Sequence, residues 1–150
     1  MVTAESFWDT FSSELRSACL NDPRWQQDID NATSWTTFTR RVLYSIGEKL
    51  GFDRNNEIQR EFYRIDFIYY KQRDNPPAVF TIPSGEWGAN WDLEIALEHE
   101  NRYDHWLWDV AKLCHINCGL KVIISYHHYG NQIRHGTVKQ KLEAVQKLTH

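Results

Sequence analysis

The chain has 150 residues, 41% of them apolar and 14% aromatic, enough for one buried core and too few for a second full domain, so residues 1–150 are read as a single domain. A net charge of −3 argues against a protein that coats nucleic acid through bulk electrostatics, yet it leaves room for an acidic site offset by a metal and by local basic residues. No apolar run approaches the ~20 residues of a membrane span, the start Met1-Val2-Thr3-Ala4-Glu5 lacks a basic stretch followed by an apolar one, and Cys19, Cys114 and Cys118 are poor material for a disulfide framework; a cytoplasmic protein with no membrane partner is expected.

Phe7, Phe11, Leu15 and Ala18 recur at helical spacing and predict a helix over Ser6 to Leu20, ended by Asn21-Asp22-Pro23. A short loop carrying Trp25 leads to a second helix capped by Ser34, Thr36 or Thr37, in which Phe38, Val42, Leu43, Ile46 and Leu50 form one apolar stripe before Gly51 stops it. From Glu61 to Tyr70, aromatic and β-branched residues predict a strand, which Asn75-Pro76-Pro77 breaks. Val79 to Ile82 reads as a short strand, followed by a turn at Pro83-Ser84-Gly85 and a loop through Trp87 and Trp91. Leu93 to Glu100 alternates as a strand. Asn101 or Asp104 can cap a helix through Trp106, Val110, Leu113 and Cys114, which Gly119 closes, and Leu120 to Tyr126 is an apolar strand of the buried kind. The last stretch, Thr137 to Leu148, reads as an amphipathic helix with Val138, Leu142, Val145 and Leu148 inward.

A helix between the strands at 93–100 and 120–126 is a crossover, so those strands should run parallel, whereas the earlier strands should be joined as hairpins. The expected fold class is α/β, a mixed central sheet flanked by helices on both faces.

Strand alternation turns Leu93, Ile95 and Leu97 one way and Glu94, Ala96, Glu98 and Glu100 the other. In a strand covered on both faces, such carboxylates are costly unless solvated or neutralised by a cation. Asp66 poses the same problem in the apolar strand Ile65-Asp66-Phe67-Ile68. Three acids on neighbouring strands can offer hard oxygen ligands to Mg²⁺, which would polarise a phosphate and make a water acidic. The plainer alternative has the glutamates lining the wet face of an edge strand and Asp66 paired with Arg64 or Lys71.

On these residues and this element order, from about Thr37 to Tyr126, the chain resembles the PD-(D/E)xK phosphodiesterases, which include restriction enzymes and Holliday-junction resolvases. Their signature is an acid on one strand and acid-x-lysine on the next; Ile65-Asp66 stands for the first part and Glu98-His99-Glu100 for the second. Ile65 replaces the usual proline, and Glu100 occupies the lysine place. In some members the lysine has moved to the following helix, where Lys112 is the candidate. The family often adds a carboxylate from the first core helix, for which Glu48 is available although it projects away from the apolar stripe. The resemblance implies a restriction-endonuclease-like core and a Mg²⁺-dependent nuclease, with Mn²⁺ as a substitute ion. Asp66, Glu98 and Glu100 would be ligands, with Glu48 as a fourth, Glu100 would otherwise take a proton from water, and Lys112 would stabilise charge on the phosphate. It also implies nucleic acid as partner, DNA ahead of RNA, and a homodimer where both strands are cut. The absent lysine of Glu-x-Lys and the negative charge motivate the rival reading, a non-catalytic interaction or regulatory protein that keeps this fold.

Other constellations are weaker. Cys114 and Cys118 with His115, His127 and His128 can be assembled into a zinc site, but Cys114 falls on the apolar stripe, where buried thiols are ordinary. His99 should face away from the flanking glutamates and reads as a packed histidine. Arg134, His135, Lys139, Lys141 and Lys147, with Lys121, form a basic stretch that either follows a phosphate backbone or is a solvated face. Trp87, Trp91 and Trp106 can stack on unpaired bases or wall off the acids.

Overall fold

The computed structural model describes residues 2–25, 31–73, 91–100 and 106–125, together with Glu143, Val145 and Gln146, which are helical. The expected strand at Val79–Ile82, the loop through Trp87, the caps Asn101 and Asp104, the residues His127 and His128, and most of the basic C-terminal stretch lie outside the described residues.

Helix α1 spans Ala4–Asn21 and begins earlier than its apolar spacing suggests, because Thr3 and Ser6 form a reciprocal capping box. Helix α2 spans Ala32–Lys49. Its N-cap is Asn31, upstream of the expected serine and threonines, whose side-chain oxygen accepts from the amides of Thr33 and Ser34 at 3.0 and 3.2 Å. The two helices are tied by Glu14, a buried acid of α1 that accepts from the Ser45 hydroxyl and the Lys49 ammonium of α2. These bonds hold its carboxyl below the usual pKa of glutamate, the lysine and serine outweighing the opposing effect of burial.

The segment read as one strand from Glu61 to Tyr70 is a hairpin. Strand β1 (Ile58–Phe62) turns through Tyr63 and Arg64 into β2 (Ile65–Gln72). Both turn residues have positive φ, 48° and 68°, the left-handed pair that a two-residue hairpin needs and that sequences usually supply with Asn-Gly. Strand β3 (Trp91–Glu100) is antiparallel to β2 and starts two residues before its expected start. Helix α3 (Trp106–Cys114) then crosses over to β4 (Leu120–Ser125), which is parallel to β3 as expected. The described strands form a mixed four-stranded sheet in the order β1-β2-β3-β4, so with helices α1 to α3 the chain is of the α/β class.

Two apolar clusters hold these elements. Phe7, Phe38, Val42, Leu43 and Ile46 from the helices pack with Phe67, Tyr69, Ile95 and Leu97 from the sheet. Their close approach depends on Gly47, where an added Cβ would lie 2.5 Å from the Tyr69 ring. The Tyr69 hydroxyl donates to the Leu43 carbonyl at 2.9 Å, which satisfies the one polar atom of a fully buried ring. The second cluster joins Ile65, Ile68, Tyr70 and Ala96 to Leu113 of α3. Because β3 lies between β2 and β4, its central run Ile95-Ala96-Leu97-Glu98 is buried on both sides, and the only charged member of that run is Glu98.

Candidate active site

Glu98 is 2% exposed, an acid placed among apolar neighbours by an interior strand. The β2–β3 register pairs Phe67 with Leu97, which carries Asp66 alongside Glu98. Asp66, half-buried, is fixed there because its Oδ2 accepts the backbone N–H of His99 at 2.8 Å. The third element is α3. Lys112 reaches from it to within 2.7 Å of Glu98 Oε1 and 2.8 Å of Asp109 Oδ1, and also donates to the carbonyl of Arg64 at 3.2 Å. The ammonium is thus shared by a buried strand acid, a buried helix acid and the β1–β2 turn.

The Glu98 contact is a close charge pair, and Lys112 is the cation that its Oε1 meets. Burial drives the Glu98 carboxyl up to about 7; Lys112 pulls it back only in part, while Asp66 and Asp109 add to the rise. Burial would depress the Lys112 ammonium, but Asp109 and Glu98 outweigh it and hold the pKa above the usual lysine value. His99 is likewise driven down to about 4, by burial first and by the positive charge of Arg40 second. An imidazole that sits near a cation of α2 points away from the acids, as strand alternation requires.

Of the expected site residues, the structure therefore brings together Asp66, Glu98 and Lys112. Glu100 lies at the end of β3, half-buried and in register with Ser125. Glu48 forms an ion pair with Arg54 at 3.6 Å and is largely solvated. Asp109 is the residue that sequence reasoning missed. It sits between Trp106 and Leu113 at helical spacing, on the face that packs inward, and three residues before the lysine it holds.

Mg²⁺ asks for oxygen donors and keeps several waters, commonly binding through one or two carboxylates. Asp66 and Glu98 make such a pair, and Glu98 is a buried carboxyl whose Oε1 faces the Lys112 ammonium. Among the described residues, no three His, Cys, Asp or Glu side chains gather into a group that could hold a metal, so Asp66, Glu98 and Glu100 do not form a three-acid cage. The donor set fits a water-rich, two-carboxylate ion. The same holds against zinc for the described members of the cysteine and histidine set: Cys114 and His115 are exposed, not on a buried stripe. No helix among the described residues is long and apolar enough to cross a membrane. Comparison with protein-family models, with curated proteins and with solved structures gave no match to the chain.

Proposed function

We propose that the chain is a metal-dependent phosphodiesterase acting on nucleic acid, DNA ahead of RNA, with a restriction-endonuclease-like core and its work in the cytoplasm. The observation that carries this reading is the buried Glu98, alongside Asp66 and with its Oε1 2.7 Å from Lys112. A carboxyl buried this deeply beside a second acid is costly to a purely structural core, and the pair suits a cation in addition to Lys112. The order β1-β2-β3, then α3 and a parallel β4, supports the finer arrangement of the fold: α1 and α2 cover one face of the sheet and α3 the other.

In this reading Asp66 and Glu98 hold Mg²⁺ or Mn²⁺, which when bound would polarise the phosphate and make a water acidic. Lys112 is the electrophilic helper. Its ammonium, anchored by Asp109, stands beside the metal-holding carboxylate and faces the charge that develops on the phosphate oxygens. Glu100, at the mouth of the same strand, takes the proton from the attacking water. The half-exposed Asp66 and Lys112 form the opening toward the ion's waters and the substrate. Assembly as a homodimer would allow both strands of a duplex to be cut.

A second reading has its own support. Glu98, Lys112 and Asp109 already form a closed charge cluster, and among the described residues no group of three metal-ligating side chains gathers around Asp66 and Glu98. A protein that kept the fold as an interaction or regulatory module would look the same if Lys112 permanently replaced the ion. Thermal denaturation with rising Mn²⁺ or Mg²⁺ separates the two. The nuclease reading expects stabilisation of the parent and none of Asp66→Ala; an unmoved parent discards the metal site.

A further inference from the structure

We propose that a groove between the sheet and the turn after α3 binds an unpaired nucleobase, so that the substrate is a single-stranded nucleic acid, an inference that rests on the nuclease reading and narrows it. The groove has a volume of about 350 Å³, and its walls include Phe62 of β1, Trp91 of β3, Arg73, and the turn Asn117-Cys118-Gly119 that follows α3. Its aromatic wall is Phe62 and Trp91, and these two belong to a row of rings that extends beyond the groove on either side. Tyr70 stacks on Trp91 with ring centres 4.0 Å apart, Trp91 meets Phe62 at 5.6 Å, and Phe62 meets Tyr63 edge to face at 4.7 Å. The row therefore runs from a buried, immobilised ring to Tyr63, which is 65% exposed.

Tyr63 connects the row to the acids. It is the neighbour in the β1–β2 turn of Arg64, whose carbonyl accepts from Lys112, and Lys112 in turn contacts Glu98. A strand that passes Lys112 and follows the β1–β2 turn meets Tyr63 first and then the groove that Phe62 lines. The chemistry of the walls favours a nucleobase. Flat rings offer faces for stacking, which every base can use, and stacking needs the base to be out of a duplex. The Arg73 guanidinium, held by Asp92 at 2.7 Å, and the exposed Asn117 add polar groups at the rim that suit a base edge or a phosphate. A duplex presents its stacked bases to neither.

Binding is measured by fluorescence anisotropy in EDTA, using a labelled oligothymidylate, an abasic strand of equal length and charge, and a duplex. The single strand is expected to bind about tenfold more tightly than the abasic strand, the size of one base–aromatic stack. Tyr63→Ala, which removes an exposed ring, and Phe62→Leu, which keeps an apolar filler, should each erase most of that difference and leave abasic binding unchanged. Equal binding of the single and abasic strands, preference for the duplex, equal loss on both strands in the variants, or no binding at all overturns the proposal. EDTA keeps this test apart from hydrolysis. Base-dependent binding without later cleavage in Mg²⁺ keeps the groove and rejects the nuclease, whereas cleavage of duplex and abasic strands at equal rates does the reverse.

Discussion

Replacing Glu98 with glutamine keeps the size of the buried side chain and removes its ionisation. In the folded chain the Glu98 carboxyl is pushed up to about 7, against an ordinary value of 4.5. Below pH 4.5 it is protonated folded and unfolded alike, and its share of stability is intact. As the pH rises, the unfolded chain ionises first while the folded chain must still hold the proton, so stability falls until the folded carboxyl ionises near 7. At 1.36 kcal/mol for each pH unit, that interval corresponds to about 3 kcal/mol. His99 runs the other way. Its imidazole is driven down to about 4, so its contribution is whole above pH 6.5 and is lost as the pH falls through 4. The two windows overlap, and in the parent they largely mask one another. In Glu98→Gln the histidine effect is unchanged, so it cancels when the stability of the parent is subtracted from that of the variant. Urea unfolding followed by circular dichroism from pH 4.5 to 8 should give a difference that climbs by about 3 kcal/mol in the variant's favour and then levels off. The Lys112 contact is already contained in that folded pKa, so its loss adds no separate pH-dependent change. A difference that is flat with pH would refute the assignment of Glu98 as a carboxyl held protonated by its surroundings.

Lys112→Met leaves Glu98 and Asp109 without their cation. Breaking a buried pair costs ~3–5 kcal/mol, and because the lysine side chain is 38% exposed the expected loss at pH 8 is nearer ~2 kcal/mol, shrinking at pH 5 as Glu98 takes up a proton; denaturant midpoints at the two pH values check it. Asp109→Asn removes the strongest of the contacts that raise the Lys112 pKa, so an NMR titration of that ammonium should show a lower value than in the parent, and an unchanged value would remove Asp109 from its anchoring role. Arg64→Gly relieves a left-handed residue with φ of 68° and should raise stability by ~1 kcal/mol, read as a higher melting temperature, since only the backbone carbonyl of residue 64 is used by Lys112.

Most of the frame was legible because it is written in periodicity. The apolar stripe of α2, the alternation of β3 and the continuous apolar run of β4 each carry a local signal, and the crossover through α3 fixes the parallel pair. The β1–β2 hairpin was illegible because Tyr63 and Arg64 occupy a turn normally marked by Asn-Gly; two bulky residues at positive φ leave no trace in composition. The start of α2 was misplaced because several polar residues there can cap, and Asn31 is the one whose side chain accepts from the amides of Thr33 and Ser34. In the site, Asp66 and Glu98 stood out as acids in apolar strands. That Lys112 meets Glu98 follows from how α3 lies on the sheet, which spacing alone does not dictate, and Asp109 was hidden as an ordinary helix acid until its burial was seen.

The central claim is that Asp66, Glu98 and Lys112 act together to cleave phosphodiester bonds. Its most direct test incubates the parent, Asp66→Ala and Lys112→Met with single-stranded and duplex DNA and RNA in Mg²⁺ or Mn²⁺ and resolves the products on a denaturing gel. Cleavage by the parent, abolished in both variants and by EDTA, is the predicted result. An inert parent in either ion, or undiminished cleavage by Asp66→Ala, would contradict it.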